Sequence, residues 1–302
     1  TTGANNVAVG SLALDANTTA SNNTAVGASS MGATTTGDQN VAMGAGSLAN
    51  NTTGTINVAI GYQALRDNTT ANNNTAVGNQ ALVLNTTGTQ NTAIGSFALD
   101  AVTTAGQNTA IGYGAGTAAT GDGGTYVGYN AGAAVTTAGL NTVVGSYAFD
   151  AATTAGESVA IGYAALTATT TGASNTAVGY ASLSANTTGT LNTAVGALSL
   201  DANTTANDGT AIGYAALSNN TTGTQNTAVG KHALVANTTG GSNVALGRHA
   251  LAANTTAGNN TGLGYNSLLS NTTGTKNTAV GALSLDATTT GSNNTSIGEQ
   301  SL

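Results

Sequence analysis

Histidine and aspartate are the residues of this sequence best suited to chemistry, and both recur at a regular spacing. His232 and His249 lie 17 residues apart, and five aspartates share one position of the same repeating pattern. Two imidazoles with no cysteine or acidic neighbour do not complete a zinc site, so a stacked, solvent-facing pair produced by repeat duplication is favoured. The aspartates are several repeats apart, too far for the paired carboxylates of glycosidases, and are expected to solvate the surface. We predict no catalytic, cofactor-binding or metal-binding residue and no enzymatic activity. The five aspartates are Asp15, Asp100, Asp150, Asp201 and Asp286.

Tyrosine recurs at the same interval and is the other residue type that could bind a ligand. Seven tyrosines follow directly after a repeated glycine, where the side chain is expected to face solvent. Exposed rings stacked along an axis could bind a sugar, pack against a neighbouring chain, or simply stack on one another. The segment Gly121-Asp122-Gly123-Gly124 is a single weak echo of calcium-binding β-roll repeats and does not predict calcium binding. The tyrosines, which we call the tyrosine column, are Tyr62, Tyr113, Tyr129, Tyr163, Tyr180, Tyr214 and Tyr265.

These spacings arise from a repeat that runs through the whole chain. A glycine preceded by an aliphatic residue returns every 17 residues in 18 copies, and only the step from Gly112 to Gly128 is shorter, at 16. Such self-similarity is typical of solenoids, in which each repeat stacks on its neighbours. We therefore interpret residues 1–302 as one continuous repeat array. The anchoring glycines are Gly10, Gly27, Gly44, Gly61, Gly78, Gly95, Gly112, Gly128, Gly145, Gly162, Gly179, Gly196, Gly213, Gly230, Gly247, Gly264, Gly281 and Gly298.

The residues before each glycine alternate as a β-strand does. The residue directly before it is always aliphatic or methionine (the aliphatic column), and the one before that is mostly alanine (the alanine column). The third residue back is threonine or valine (the threonine–valine column). Alternate residues of a strand share a face, so we expect the aliphatic and threonine–valine columns to be buried together, with alanine opposite. In the second copy these residues are Val26, Ala25 and Thr24.

A second column of large apolar residues follows each glycine. The fourth residue after it is leucine in most copies, and Met31, Phe149, Gly116 and Gly132 are the exceptions. We expect this leucine column to form the second wall of the core, with the glycine making a bend between two strands. Recurrent glycine, β-branched residues and asparagine disfavour any helix longer than one turn. The sequence thus predicts an all-β fold, a parallel β-solenoid or β-roll of about 18 coils with two short strands per coil.

Asparagine and threonine mark the corners between coils. Asparagine occupies the fourth position before the glycine in 15 of 18 copies, and two threonines, such as Thr86 and Thr87, occur in nearly every copy. Identical amides stacked about 4.7 Å apart can form hydrogen-bonded ladders, and threonine hydroxyls can do the same. The stretch from Gly112 to Gly132 loses one residue and two leucines. We expect it to be a repeat-slippage scar that narrows the core, and a kink or a small ligand niche is the alternative.

Composition excludes several partners. Only 5% of residues are charged and the net charge is −7, with four basic side chains in all. Nucleic-acid binding needs clustered lysine and arginine, which this chain does not have. No apolar run approaches the ~20 residues that span a bilayer, so no membrane span is predicted. The surface is expected to be neutral and rich in amides and hydroxyls.

The repeat also resembles known families. Asn74-Thr75-Ala76-Val77-Gly78, followed by Asn85-Thr86-Thr87-Gly88, resembles the repeat arrays of bacterial and phage tail-fibre-like proteins. It is similar, more distantly, to the head repeats of trimeric autotransporter adhesins of the YadA type. The resemblance implies an extracellular fibre or adhesin on a cell or virion surface. For the YadA-like heads it further implies a left-handed parallel β-roll assembled as a trimer.

These observations favour a structural function, the shaft of an extracellular fibre with a surface-attachment role. Neither end of the sequence shows a polar capping coil, so we expect head-to-tail stacking, a homotrimer, or both. A cell-surface glycan or receptor is a further expected partner. An ice-binding solenoid is the alternative, although the two corner threonines are adjacent and should point in opposite directions. A carbohydrate-binding or carbohydrate-processing β-helix is the least favoured.

Overall fold

The computed structural model describes residues 2–301, which form eighteen three-residue strands and no helix. The chain divides into two compact units, Thr1–Thr153 and Thr154–Leu302. The strands of the first unit are β1 (Val7–Val9), β2 (Thr24–Val26), β3 (Val41–Met43), β4 (Val58–Ile60), β5 (Thr75–Val77), β6 (Thr92–Ile94), β7 (Thr109–Ile111), β8 (Thr125–Val127) and β9 (Thr142–Val144). Those of the second are β10 (Val159–Ile161), β11 (Thr176–Val178), β12 (Thr193–Val195), β13 (Thr210–Ile212), β14 (Thr227–Val229), β15 (Val244–Leu246), β16 (Thr261–Leu263), β17 (Thr278–Val280) and β18 (Thr295–Ile297).

Successive strands pair in parallel within each unit. In the first unit each strand from β1 to β9 pairs with the next, and like positions face like positions, as Thr75 faces Thr92. The second unit repeats this arrangement from β10 to β18. A parallel strand needs a crossover to return to the same edge, and here the rest of each 17-residue repeat supplies it. The predicted parallel β-solenoid is confirmed.

Each coil contains one strand, so the prediction of two short strands per coil is wrong. The segment after the glycine is a series of turns in which non-glycine residues adopt left-handed backbone angles, as Gln63 and Leu65 do with φ of 53°. Left-handed geometry costs an L-residue about 1–2 kcal/mol. Burial of a leucine side chain contributes about 1.5–3 kcal/mol. Since the leucine column is buried, as Leu65 and Leu82 show, burial offsets the backbone cost at the leucine itself.

The strands face the core with alanine rather than with their larger residues. Ala59 and Ala76 are fully buried, whereas Ile60 is 37% exposed and Thr75 is half-buried. The prediction that the aliphatic and threonine–valine columns are buried is therefore wrong, and the leucine column supplies most of the large side chains of the core. A coil of 17 residues encloses a narrow space, and leucine from the turn segment already fills it. In most coils only the methyl group of alanine fits opposite the leucine, so the strand turns alanine inward and its aliphatic side chain outward.

The anchoring glycine is required by the close approach of neighbouring coils. Gly61 has φ of 132°, and a Cβ atom placed on it would lie 2.4 Å from the carbonyl oxygen of Gly78 in the next coil. Both the backbone angle and the lack of space exclude a side chain. The predicted bend at this position is confirmed.

Asparagine ladders hold the corners, as predicted. The side chain of Asn91 accepts a hydrogen bond from the backbone N–H of Asn108 (3.0 Å) and donates one to the carbonyl of Ala105 (2.9 Å). A second asparagine column, formed in many coils by the seventh residue after the glycine, links amide to amide, as from Asn85 to Asn68 (3.1 Å). Threonine adds a third ladder, for example from the Thr69 hydroxyl to the Thr86 carbonyl (3.2 Å). These bonds join neighbouring coils, so they stabilise stacking rather than the single coil.

The irregular stretch in the first unit has a filled core rather than a narrowed one. Tyr126 replaces alanine on β8 and is fully buried. A Cβ atom on Gly132 or Gly116 would lie 2.3 Å or 2.9 Å from the Tyr126 ring, so the ring occupies the space of two missing leucines. The expected narrowing at this place is wrong. The residue missing from the repeat belongs to the corner, where Thr120 stands in place of a threonine pair.

Candidate functional site

The tyrosine column lies on the turn segment, directly after the glycine bend, and is exposed as predicted. Tyr113 and Tyr129 stack with ring centroids 5.4 Å apart and planes 12° apart, and Tyr163 and Tyr180 stack similarly at 5.7 Å. Individual rings remain about half exposed, for example Tyr113 at 50%. The rings therefore contact one another and still present apolar surface to solvent.

Two aromatic residues outside the predicted tyrosine column extend it in the first unit. Phe97 packs edge-on against Tyr113 with centroids 5.8 Å apart, and Tyr147 packs edge-on against Tyr129 at 5.3 Å. Both lie one residue further from the glycine than the tyrosine column, and sequence reasoning missed them for that reason. Their position in coils adjacent to column tyrosines was a signal that the sequence already contained. We call Phe97, Tyr113, Tyr129 and Tyr147 the aromatic ladder.

A depression of about 450 Å³ adjoins the aromatic ladder. Phe97 and Tyr113 form its aromatic wall. Gly114 opens it, because most other coils carry a side chain at this position and a Cβ atom here would lie 2.5 Å from Asn130 Oδ1. Thr117 donates a hydrogen bond to the Gly114 carbonyl (2.7 Å) and keeps its oxygen lone pairs for a further partner. The residues that line the depression are Phe97, Asp100, Tyr113, Gly114, Thr117, Asn130 and Ala133.

A second depression of about 410 Å³ continues from the first along the coils. The two share Asp100 and Thr117. Arg66 lines the second depression and forms an ion pair with Asp67, the two-point contact being shortest at 2.5 Å between Nη2 and Oδ2. Together the two depressions form what we call the axial groove. The second is lined by Arg66, Gln80, Val83, Leu84, Asp100, Ala101, Thr117 and Ala118.

Asp100 and Asp201 depart from the expected solvating role of the aspartate column. In both, Oδ1 is enclosed and accepts no hydrogen bond, whereas Asp15 in the same column is exposed. Burial raises the pKa of Asp100 and of Asp201, since a carboxylate loses hydration there. Asp201 has alanine and leucine, Ala197 and Leu198, where the coil of Asp100 has Ser96 and Phe97. Asp100 is therefore the one of this pair that lies beside an aromatic wall.

The two histidines stack as predicted. The rings of His232 and His249 are 5.3 Å apart and inclined by 4°, with Nδ1 of one 3.2 Å from Nε2 of the other. Partial burial lowers the pKa of His232, and the nearby charges of Lys231, His249 and Arg248 lower it further. The two cations lie over tyrosine rings, Lys231 over Tyr214 at 5.6 Å and Arg248 over Tyr265 at 5.8 Å. Among residues 2–301, no three histidine, cysteine or acidic side chains come close enough to hold a metal ion.

Asp122, in the glycine-rich segment, has a structural contact. Its carboxylate accepts a hydrogen bond of 2.6 Å from the backbone N–H of Gly106 in the preceding coil. The segment is thus tied to its neighbour through the aspartate.

The outward face of the sheet is the other candidate site. It carries the aliphatic column beside the threonine–valine column, and none of its residues is charged. Ile94 is 40% exposed and Ile111 is 41% exposed in the first unit, and Ile212 is 41% exposed in the second. Regular exposure of large apolar residues along a sheet indicates an interaction surface.

No protein-family model matches this chain, and no match is found among curated proteins. The part of the chain from residue 2 to residue 301 contains no helix of the length and hydropathy needed to cross a membrane. The geometry therefore carries the functional argument.

Proposed function

We propose that the protein is a structural component of an extracellular fibre, with surface attachment as its role, and that copies associate side by side through the outward sheet face. The observation that supports this proposal is the exposed aliphatic column. An uncharged, regular surface of this kind is unfavourable in water, and burial contributes roughly 25 cal/mol for each Å² of apolar area. Monotony of the coils suits a spacer, while catalysis requires a local constellation of groups.

A second copy of the same chain is the partner that fits this face. The face is neutral and periodic, so an identical face matches it in spacing without leaving a charge unpaired. β-Sheets packed face to face lie about 10 Å apart, a distance that valine, isoleucine and threonine side chains fill. The resemblance to trimeric adhesin heads favours three chains. Head-to-tail stacking stays a further prediction.

The double variant Ile60→Lys/Ile94→Lys tests lateral association. Both side chains point outward, so the coil should still fold, and buried lysines should prevent packing of the faces. We expect the wild type to sediment as an oligomer and the variant as a monomer in analytical ultracentrifugation. Ser96→Lys is the matched control, since Lys231 occupies the equivalent position in another coil. A monomeric wild type at about 1 mM, without fibres in electron micrographs, would refute the proposal.

Ice binding is the second candidate function, and one observation supports it. The corner threonines are not the relevant ones. Thr75, Thr92 and Thr109 stand in register on neighbouring strands of the outward face, beside the aliphatic column. The alternative predicts thermal hysteresis in dilute wild-type solution that Thr92→Lys abolishes. An oligomer without hysteresis supports the structural function instead.

A further inference from the structure

The axial groove combines two kinds of surface that a sugar ring also combines. Phe97 and Tyr113 offer apolar ring surface, and Tyr113 is 50% exposed. Asp100, Thr117 and Asn130 line the same depression with a carboxylate, a hydroxyl and an amide. A pyranose presents an apolar C–H face, which packs on an aromatic ring, and hydroxyl groups at its edge, which donate and accept hydrogen bonds.

The carboxylate of Asp100 supplies a specific acceptor. Asp100 lines both depressions of the groove. Its Oδ1 is enclosed, so the carboxylate offers its other oxygen to a ligand, and a carboxylate oxygen accepts a hydrogen bond from a sugar hydroxyl. The side chains of Thr117 and Asn130 can serve the neighbouring hydroxyls of the same ring.

The shape of the groove favours a chain of sugars over a single one. Its two depressions, of about 450 and 410 Å³, share Asp100 and Thr117 and extend along successive coils from Arg66 to Asn130. Each volume falls within the about 300–1,000 Å³ typical of ligand sites. An elongated ligand that follows the coil axis can therefore occupy both.

Charge selects the type of saccharide. The chain has a net charge of −7, and Asp100 lies at the centre of the groove. The guanidinium of Arg66 at one end is already paired with Asp67. Acidic saccharides are repelled, and uncharged ones are not.

We propose that the axial groove is a binding site for a neutral oligosaccharide, with Phe97 and Tyr113 packing on its pyranose rings and Asp100, Thr117 and Asn130 binding its hydroxyls. The groove lies on the turn segment, whereas lateral association uses the outward sheet face. The inference therefore stands without the proposed structural function, and the two can fail separately. Within that function, it gives surface attachment a chemical target.

The test measures binding of neutral and acidic saccharides by isothermal titration calorimetry, with tyrosine fluorescence as a second signal. The probes are cello-, malto-, manno- and chito-oligosaccharides, polygalacturonate as an acidic saccharide, and an uncharged unstructured peptide. We expect at least one neutral oligosaccharide to bind, and polygalacturonate and the peptide not to bind. Absence of neutral-oligosaccharide binding up to about 10 mM, or a preference for the peptide, overturns the proposal.

Gly114→Gln places the binding in the groove. Gln63 and Gln80 occupy the same position in other coils with left-handed angles, so the backbone accepts glutamine there. The added Cβ atom lies 2.5 Å from Asn130 Oδ1, so the Asn130 amide must turn away while the new side chain fills the depression. We expect affinity to fall at least tenfold. Gly46→Gln is the matched control, because Gly46 shares the position but lies outside the groove, and a Cβ atom placed on it would approach only Gln63, at 3.4 Å. Equal affinity in Gly114→Gln and the wild type overturns the assignment.

Asp100→Ala and Asp201→Ala form a second matched pair. Both remove a half-buried carboxylate with an enclosed oxygen from the same column, so their structural effects should be alike. Only Asp100→Ala is expected to weaken binding, by at least tenfold, and circular dichroism verifies that both variants fold. If the two variants weaken binding equally, Asp100 does not contact the saccharide and the proposed site is wrong.

Discussion

Two regions of the first unit, three coils apart, fill the same core position in opposite ways. Around β5, the small side chain of Ala76 is buried together with the leucines of its own and the preceding coil, Leu82 and Leu65. Around β8, the large side chain of Tyr126 lies between Gly132 and Gly116. All the residues of both sets that carry side chains are fully buried. The summed side-chain volume of adjacent core positions is therefore similar in the two regions. Large and small residues can exchange places as long as that sum is kept.

The corners of the two regions differ as well. Asn51, Asn68 and Asn85 form an amide ladder, and the next coils replace asparagine by apolar residues. The ladder ends at Asn85, whose Oδ1 is buried without a partner because Val102 above it has no amide. A buried polar ladder thus leaves one unsatisfied oxygen where it stops. The apolar replacements are Val102, Ala119, Val135 and Ala152.

Removal of the Tyr126 side chain should give the largest effect. Tyr126→Ala leaves a cavity that Gly116 and Gly132 cannot fill, so the free energy of unfolding should fall by about 3–5 kcal/mol. Guanidinium unfolding followed by circular dichroism measures it. The triple variant Tyr126→Ala/Gly116→Leu/Gly132→Leu restores the arrangement around β5 and should recover most of the loss. If the triple variant is no more stable than Tyr126→Ala, volume compensation is not the reason for this core.

High pH should destabilise the Tyr126 region specifically. Burial raises the pKa of Tyr126 to about 12 from its ordinary value of 10.0, so the folded state holds the proton more tightly. The stability that the folded state gains from keeping this tyrosine neutral is fully present below pH 10 and is lost as pH rises toward 12. The total loss is roughly 2–3 kcal/mol. Unfolding free energies measured across this range test it. Tyr126→Phe should show a smaller decline, and an identical decline would contradict the assignment.

Gly132→Leu should destabilise the wild type and stabilise the Tyr126→Ala variant. In the wild type the added side chain clashes with the Tyr126 ring and should cost about 1–3 kcal/mol. In the Tyr126→Ala background it fills the cavity and should stabilise instead. A double-mutant cycle measures the coupling, and additive effects would show that the two residues do not share one space. Gly132 has φ of 62°, so leucine also carries a left-handed backbone cost of about 1–2 kcal/mol in both backgrounds, and this cost cancels in the cycle.

Tyr126→Phe should stabilise the protein by about 1 kcal/mol. The Tyr126 hydroxyl is buried with no hydrogen-bond partner, and its removal takes away a desolvation cost while keeping the ring. Thermal unfolding is the measurement. A clear loss of stability would mean that the hydroxyl has a bound partner, such as water.

Extension of the amide ladder should give the smallest effect. Val102→Asn supplies a donor to Asn85 Oδ1, but its own Oδ1 then lies below Ala119 without a partner. One buried oxygen gains a hydrogen bond and another is left without one, so we expect the free energy of unfolding to change by less than about 1 kcal/mol. The paired variant Val102→Asn/Ala119→Asn moves the last amide of the ladder by one further coil, and we again expect a small effect. A large destabilisation in either would show that apolar packing, rather than the position of the ladder's end, governs this corner.

The sequence was sufficient for the register and the ladders because both follow from identity of residues one repeat apart. Glycine at Gly61 and asparagine at Asn91 have the roles that their chemistry predicts. The inward face was predicted wrongly because hydrophobicity favours Ile60 over Ala59 for the core, and only the width of the closed coil decides for alanine. Left-handed angles at Leu65 had no sequence signal, since L-residues rarely adopt them.

The candidate site was partly visible in the sequence. The exposure of Tyr113 and the stacking of His232 on His249 followed from the columns. The enclosure of Asp100 and the depression opened by Gly114 did not, because they depend on which residues neighbouring coils place beside them. The irregularity between Gly112 and Gly132 was noticed, but Tyr126 was not recognised as its compensation, since no rule for a single coil connects them.

Registry between coils has a genetic consequence. The paired strands and the asparagine and threonine ladders join residues one repeat apart, so recombination that inserts or removes a 17-residue block leaves every such pairing intact. A single-codon deletion shifts these pairings unless it falls at a corner. The 16-residue step between Gly112 and Gly128 is such a case, because Thr109 and Thr125 still pair across it. A gene of this kind can change its product's length in equal increments without passing through a misfolded intermediate.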